Sequence, residues 1–465
     1  MKPRIKDQHS VKEFVMLDNV SKAASKTILF ALILLSAFQV FAAEEPTFEQ
    51  YIKQSAVPPE ILDAWLRVPN WGTFDPELGY VQGNSVMPWG IGNSATIETI
   101  QANGARTSIM YADRKPRINT YGDSFTECEQ VSDGETWQEY LAGHLGEPVA
   151  NFGVGGHGVY QAYRRMLREE KTDHAAKYLI LTICCDDSTR SLYRYRRAAF
   201  FKIWNEYGGM TFQGNFWSNL EMDLETGRFV EKKQLLPTRE SLYHMTEPQW
   251  MVEHLKDDLA LQLTLYSRGN IRDLDHERVS KLAEQLGFPF DWSLESQAGT
   301  VPSRHPERGA APMTLMQAQA AALLNRYSQR ATIFILDKVR AFARENGKKL
   351  VIVLNLNADV AEMKQSGTRE DQELVDYLVK EKFDYVDMNE IFLREIQKSN
   401  LSATEFMKLY LVNGAGHFNP MGNHFIAYSI KDKMVELLDP KPLPYQQPDA
   451  RIIDFKGYLH GGVYH

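Results

Sequence analysis

The chain has 465 residues, of which 43% are hydrophobic and 24% charged. That is close to average usage for a soluble globular protein, so a sizeable core is available. Its 60 Asp and Glu outnumber 52 Lys and Arg, for a net charge of −8. With no basic stripe and no nucleic-acid motif, a polyanion is excluded as a partner.

At the N-terminus Lys22 and Lys26 precede an apolar run, ILFALILLSAFQVF, over residues 28–41. The run is shorter than the roughly 20 residues an ordinary membrane-spanning helix needs. Val40-Phe41-Ala42 supplies a cleavage-like end, so residues 1–42 read as a signal peptide or an uncleaved anchor, with Met16 as an alternative start. The expected location is secreted or periplasmic, with no further integral membrane segment. Residues 43–115 are rich in Trp, Gly, Pro and Asn and read as a loop-rich extension. In it, Asn103-Gly104 after the alternating ATIETI marks a hairpin turn.

From residue 116 the pattern alternates between strand and helix. Strands are expected at 117–121, 149–152, 178–184, 349–357 and 383–388. Helices are expected at 136–145, 159–170, 314–346, 370–382 and 421–438. Gly146 and Gly347 provide helix stops. The run YLILTIC at 178–184 is apolar throughout, as a strand buried on both faces requires. The pattern predicts an α/β fold, a three-layer parallel sheet with helices on both faces. Its core comes in two parts, 116–190 and 314–440. Between them, 191–313 reads as an inserted cap rich in aromatics, with helical patterns near 255–267 and 275–286. Residues 441–465 form a tail.

Four polar clusters fall beyond the carboxyl ends of these strands, where parallel sheets collect ligands. They are Gly122-Asp123-Ser124, the glycines of 153–158, Asp186-Asp187, and AGHFNPMGN at 415–423. A serine hydroxyl is a weak nucleophile until a base lies in hydrogen-bond reach and donors face the developing oxyanion. His417, in a loop and with a side chain suited to neutral pH, is the expected base. Ser124 by itself would serve as a helix N-cap, and His417 by itself would be an ordinary loop histidine; their convergence is the argument. Gly153, Gly155 and Gly158 also spell the dinucleotide fingerprint, but no acidic residue follows at the required distance. Glycines that bring backbone N–H groups close to a substrate oxygen are the simpler use.

The three cysteines, Cys128, Cys184 and Cys185, show no metal-binding spacing. A bridge from Cys128 to either of the others requires neighbouring strand ends; otherwise all three are unpaired buried thiols. No metal or cofactor is expected.

These residues resemble the blocks of the SGNH (GDSL-type) hydrolases. Gly122-Asp123-Ser124-Phe125 is similar to the first block and Asn151-Phe152-Gly153-Val154-Gly155-Gly156 to the second. The loop of His417, with Asn419 and Gly422, is similar to the last. The resemblance spans roughly 116–190 and 331–438. It implies that Ser124 attacks an acyl carbonyl, that Gly156 supports the oxyanion, and that His417 is the base. Two positions depart from the family pattern. Cys184-Cys185-Asp186-Asp187 stands where Gly-Asn-Asp is usual, and an ionised Asp186 cannot donate to an oxyanion. It either carries a proton or has another role, such as orienting Arg190 or a sugar hydroxyl. Three residues before His417, where the family's acid lies, is Gly414; Asn413, Asp384, Asp387 or a backbone carbonyl are the substitutes.

The expected function is an exported serine esterase acting on acyl, chiefly acetyl, esters. Its partner is then a small ester or an acylated glycan, with Trp204, Trp217 and Trp250 of the insertion available to stack on sugar rings. A polysaccharide O-acetyltransferase sharing the acyl-serine step, and a catalytically silent glycan-binding relative, are the alternatives.

Overall fold

The computed structural model describes residues 45–67, 71–200, 215–301, 312–356 and 358–446. The leader, Trp204 and most of the C-terminal tail lie outside them. The seven residues of β3 (Tyr178–Cys184) are all buried, which is what an apolar run without alternation demands of a central strand. β3 lies between β1 (Ile118–Tyr121) and β4 (Lys349–Asn355). The short β2 (Ala150–Asn151) closes one edge and β5 (Tyr385–Asp387) the other. Every pairing is parallel, and the order is β5-β4-β3-β1-β2.

Side chains of a strand alternate between faces, and here they divide two cores. Leu179, Leu181 and Ile183 pack with α3 (Val159–Glu169) and α4 (Leu315–Glu345). Tyr178 and Ile180 pack with α2 (Trp137–Leu145) and α5 (Pro420–Leu437) on the other face. The result is helix, sheet, helix. Burying one such Leu or Ile side chain stabilises the fold by about 1.5–3 kcal/mol, so both faces of β3 are held independently.

Caps fix the helix starts. Thr314 and Gln317 close a reciprocal capping box on α4, and Asn419 caps α5 ahead of Pro420, which needs no N–H at that position. The expected core strands and helices lie within a few residues of the sequence pattern, while helices at Phe48–Gln54, Pro59–Arg67, Val360–Ser366, Met388–Lys398 and Ala403–Tyr410 are not among those expected and three further features differ. The apolar stretch 255–267 is divided between two helices, Pro248–Leu255 and Leu259–Ser267, because Asp258 accepts from the Leu261 N–H at 3.0 Å and starts the second. The insertion also carries a β-hairpin, Asn219–Asp223 with Arg228–Lys232. The turn at Gly104, with φ +80°, closes a single bridge between Ile100 and Arg106, while Thr96–Glu98 pairs with Ser85–Met87.

No disulfide forms. Cys128 and Cys184 are buried free thiols and Cys185 is exposed. Cys128 packs in the same core as Trp137 and Leu141. Among the described residues no helix is long and apolar enough to cross a membrane.

Candidate active site

β1 ends at Tyr121, and after Gly122 the chain turns into α1, a single helical turn over Ser124–Glu127. Asp123, not Ser124, is its N-cap: Asp123 Oδ1 accepts from the Phe125 N–H at 3.0 Å. Ser124 is thereby released from capping and opens the turn, 7% exposed. The loop after β2 is locked against this turn. Asn151 Nδ2 donates to Glu127 O at 3.2 Å, Val154 N–H to Gly122 O at 3.1 Å, and the Gly155 N–H to the Glu127 carboxyl.

His417 arrives from the other end of the chain on the loop before α5. That loop is pinned by Val412 N–H to His417 O at 2.8 Å and by Asn419 N–H to Tyr410 O at 2.9 Å. The Phe125 ring packs on the imidazole, centroids 4.8 Å apart. Nε2 of His417 lies 2.8 Å from Ser124 Oγ, the reach that proton transfer requires.

The other ring nitrogen meets Gln130. Gln130 Oε1 stands 3.0 Å from Nδ1 and also accepts from the His417 backbone N–H at 2.7 Å. Its Nε2 donates to Trp89 O at 2.9 Å, which fixes the amide with oxygen toward the histidine. Nδ1 therefore carries the proton, and Nε2 presents a lone pair to the serine hydroxyl. Gly416 makes this approach feasible, since a Cβ there would fall 2.4 Å from Gln130 Oε1.

Burial drives His417 down to about 4; the Asp123 carboxylate opposes this and Arg190 adds to it. The ring is consequently neutral at physiological pH, with Nε2 free to accept a proton. Glu129 Oε2 lies 3.7 Å from Nε2. The other buried histidine nearby, His157, is held on Tyr80 O at 3.1 Å and lowered by burial to about 3, so it stays a neutral structural group.

One backbone donor on the serine turn and one in the glycine loop packed against it are open. The N–H groups of Ser124 and Gly156 form no hydrogen bond among the described residues. Gly156 has φ +81°, and a Cβ there would fall 2.1 Å from Arg196 Nη1. Only glycine tolerates both conditions.

Asp186 is placed beside this site as an acceptor. It is ion-paired with Arg190, and although burial alone would raise its carboxyl, Arg190, Arg196 and Arg268 together hold it below the ordinary value. It is ionised and does not replace an amide donor. Arg190 spans Asp186, Asp187 at 2.8 Å and Asp123 at 3.7 Å. Of the substitutes for the histidine's acid, none reaches the ring. Asp384 pairs with Lys433 at 2.7 Å, Asp387 with Arg369 at 2.6 Å, and Asn413 accepts from the Gly92 N–H at 3.0 Å. Gln130 takes that place. It lies six residues after the serine, with φ +71°, and no sequence pattern points to it.

Of the three tryptophans singled out in the insertion, the two among the described residues do not serve as free platforms. Trp217 is 1% exposed with its Nε1 donating to Tyr193 O at 2.7 Å, and Trp250 is stacked with His244 and His254. A larger hollow lined by Met110, Glu139, Tyr140, His144 and His424 shares no residue with the Ser124–His417 pair. Among the described residues no group of His, Cys, Asp and Glu is arranged to hold a metal ion.

The site thus holds a hydroxyl, a neutral imidazole of defined tautomer, and two backbone donors at the carboxyl end of a parallel sheet. Comparison with protein-family models returns no match, and neither does comparison with curated proteins.

Proposed function

We propose that the protein is a serine esterase of SGNH type, hydrolysing acyl esters through Ser124 and His417. The observation that carries this reading is the 2.8 Å contact between His417 Nε2 and Ser124 Oγ, made across 293 positions of sequence. As Ser124 Oγ attacks the acyl carbon, His417 takes its proton. The Ser124 and Gly156 N–H groups stabilise the negative oxygen, and the Arg196 guanidinium beside Gly156 adds positive charge on that side. The imidazolium then protonates the departing alkoxide. Water, deprotonated by the same nitrogen, attacks the acyl-serine and regenerates Ser124. Gln130 holds the imidazole through both steps, and the Asp123 carboxylate favours the charged ring.

An intact serine–imidazole bond speaks against a silent relative, since loss of function would remove any pressure on that geometry. Export rests on the leader read at residues 28–42. The test is turnover of p-nitrophenyl acetate, with fluorophosphonate labelling followed by mass spectrometry. Wild type is expected to turn over and to carry one adduct on Ser124. Ser124→Ala should lose both, with a fall in kcat of about 10⁴-fold or more. Equal rates for the two proteins would remove Ser124 from the chemistry.

A further inference from the structure

A narrow cleft opens beside Glu129 and Gln130, the two residues whose side chains face the His417 ring. Trp71, Trp89, Gln82, Glu98, Glu127 and Gln130 line it. Gln130 is the residue that holds His417, and Glu129, also on its wall, is the carboxyl nearest Nε2. The cleft therefore borders the residues that contact His417, and it is built chiefly from the N-terminal extension rather than from the insertion.

Its chemistry is specific. Gln82 is 7% exposed, and its Oε1 is buried with no hydrogen-bond partner among the described residues. A buried acceptor left without a donor is costly, roughly 1–3 kcal/mol, so a ligand that brings an O–H or N–H is favoured there. Glu98 is equally buried, with Arg106 3.8 Å away. Glu127, raised above the ordinary carboxyl value by burial and by its neighbours Glu98 and Glu129, accepts from the Gly155 N–H with one oxygen and leaves the other, Oε1, without a partner among the described residues. The wall thus presents unpartnered acceptor oxygens of Gln82, Glu98 and Glu127 to a group that donates, such as a hydroxyl. At the mouth, Trp89 is 41% exposed, an aromatic face of the kind that sugar rings stack on.

Size narrows the choice further. The free volume is about 20 Å³, room for one water-sized group. A hydroxyl or hydroxymethyl group enters such a space, whereas a fatty acyl chain or a trimethylammonium head does not. We infer that this cleft receives a hydroxyl-bearing arm of the ester's alcohol portion, with the sugar ring of an acylated saccharide resting on Trp89. The inference rests on the esterase reading for its catalytic consequence, and on the cleft alone for binding.

The experiment has two arms. In the first, wild type, Trp89→Ala and Gln82→Leu are assayed on an O-acetylated methyl glucoside, on p-nitrophenyl acetate and on acetylcholine. The ratio of kcat/KM for the acetyl glucoside to that for p-nitrophenyl acetate is expected to fall at least 10-fold in each variant, chiefly through KM. An unchanged ratio, or a wild type that prefers acetylcholine to the acetyl glucoside, overturns the proposal. In the second arm, Ser124→Ala and the double variant with Trp89→Ala are titrated with methyl glucoside, followed by tryptophan fluorescence. A saturable change is expected that is lost with Trp89. Ester turnover by wild type with no fluorescence change overturns the cleft while sparing the esterase. A fluorescence change with no turnover of any ester does the reverse. Absence of both overturns both.

Discussion

Gln130 Oε1 accepts from the ring Nδ1–H and from the backbone N–H of the same residue, His417, at 3.0 and 2.7 Å. A carboxylate in that place would hold the ring equally well and would also stabilise its positive charge. An amide oxygen is a neutral acceptor, so it contributes orientation and tautomer with less charge compensation. Gln130→Ala is expected to lower kcat on p-nitrophenyl acetate by about 10²-fold, the order of one preorganised hydrogen bond, with a smaller change in KM. Gln130→Glu places a charge beside Nδ1 and raises the pKa of His417. The acid limb of its pH–rate profile should therefore move to higher pH. A Gln130→Glu profile that overlays wild type would reduce the contact to a structural one.

The wild-type profile carries its own test. His417 acts as a base only when neutral, and its value is lowered by burial to about 4. The sign is direct: above that value the ring is deprotonated and active, and below it the ring is protonated and idle. The kcat/KM for an ester measured from pH 3.5 to 8 should stay level as pH falls through 6.5, where an ordinary histidine titrates, and decline only toward 4. A half-fall near 6.5 would contradict the buried environment described for the ring.

Arg196 supplies the prediction on transition-state charge. Its Nη1 would be 2.1 Å from a Cβ at Gly156, so it stands against the backbone group proposed to hold the oxyanion. Arg196→Lys keeps one charge but loses the planar fork. The expected effect is a fall in kcat of about 10–10²-fold with KM changed less than threefold, and slower fluorophosphonate labelling of Ser124 in proportion. A rise in KM at constant kcat would assign Arg196 to ground-state binding instead.

How much of this was legible beforehand follows from how local each signal is. The alternation of Tyr178–Cys184 between two cores is written in consecutive residues, and the strand could be read from them. Ser124 and His417 carry local context too, a Gly-Asp turn after one strand and a capped helix after the other. Gln130 carries none. Its role depends on a left-handed turn at φ +71° and on Trp89 O orienting its amide. The cleft is less local still. Trp71, Gln82, Trp89 and Glu98 reach the site through turns and short hairpins in an extension that looked merely loop-rich. Trp217, by contrast, looked available and is sealed in the core. The split of 255–267 at Asp258 was hidden because an apolar run with one capping acid reads as one helix until the cap is seen in use.

The thiols give a prediction independent of catalysis. The thiolate is the reactive form, and burial pushes Cys128 up to about 12 and Cys184 well above its ordinary value. Cys128 is 2% exposed and Cys184 fully buried, while Cys185 lies open on the surface. At pH 8 a thiol reagent should therefore find one fast site in the native chain, lost in Cys185→Ser, against three in denaturant, matching the three cysteines of the sequence. Two fast native thiols would mean that the end of β3 opens in solution. Only two thiols in denaturant without reductant, or fewer, would mean that an oxidising compartment has modified the chain, and mapping the missing one would show which.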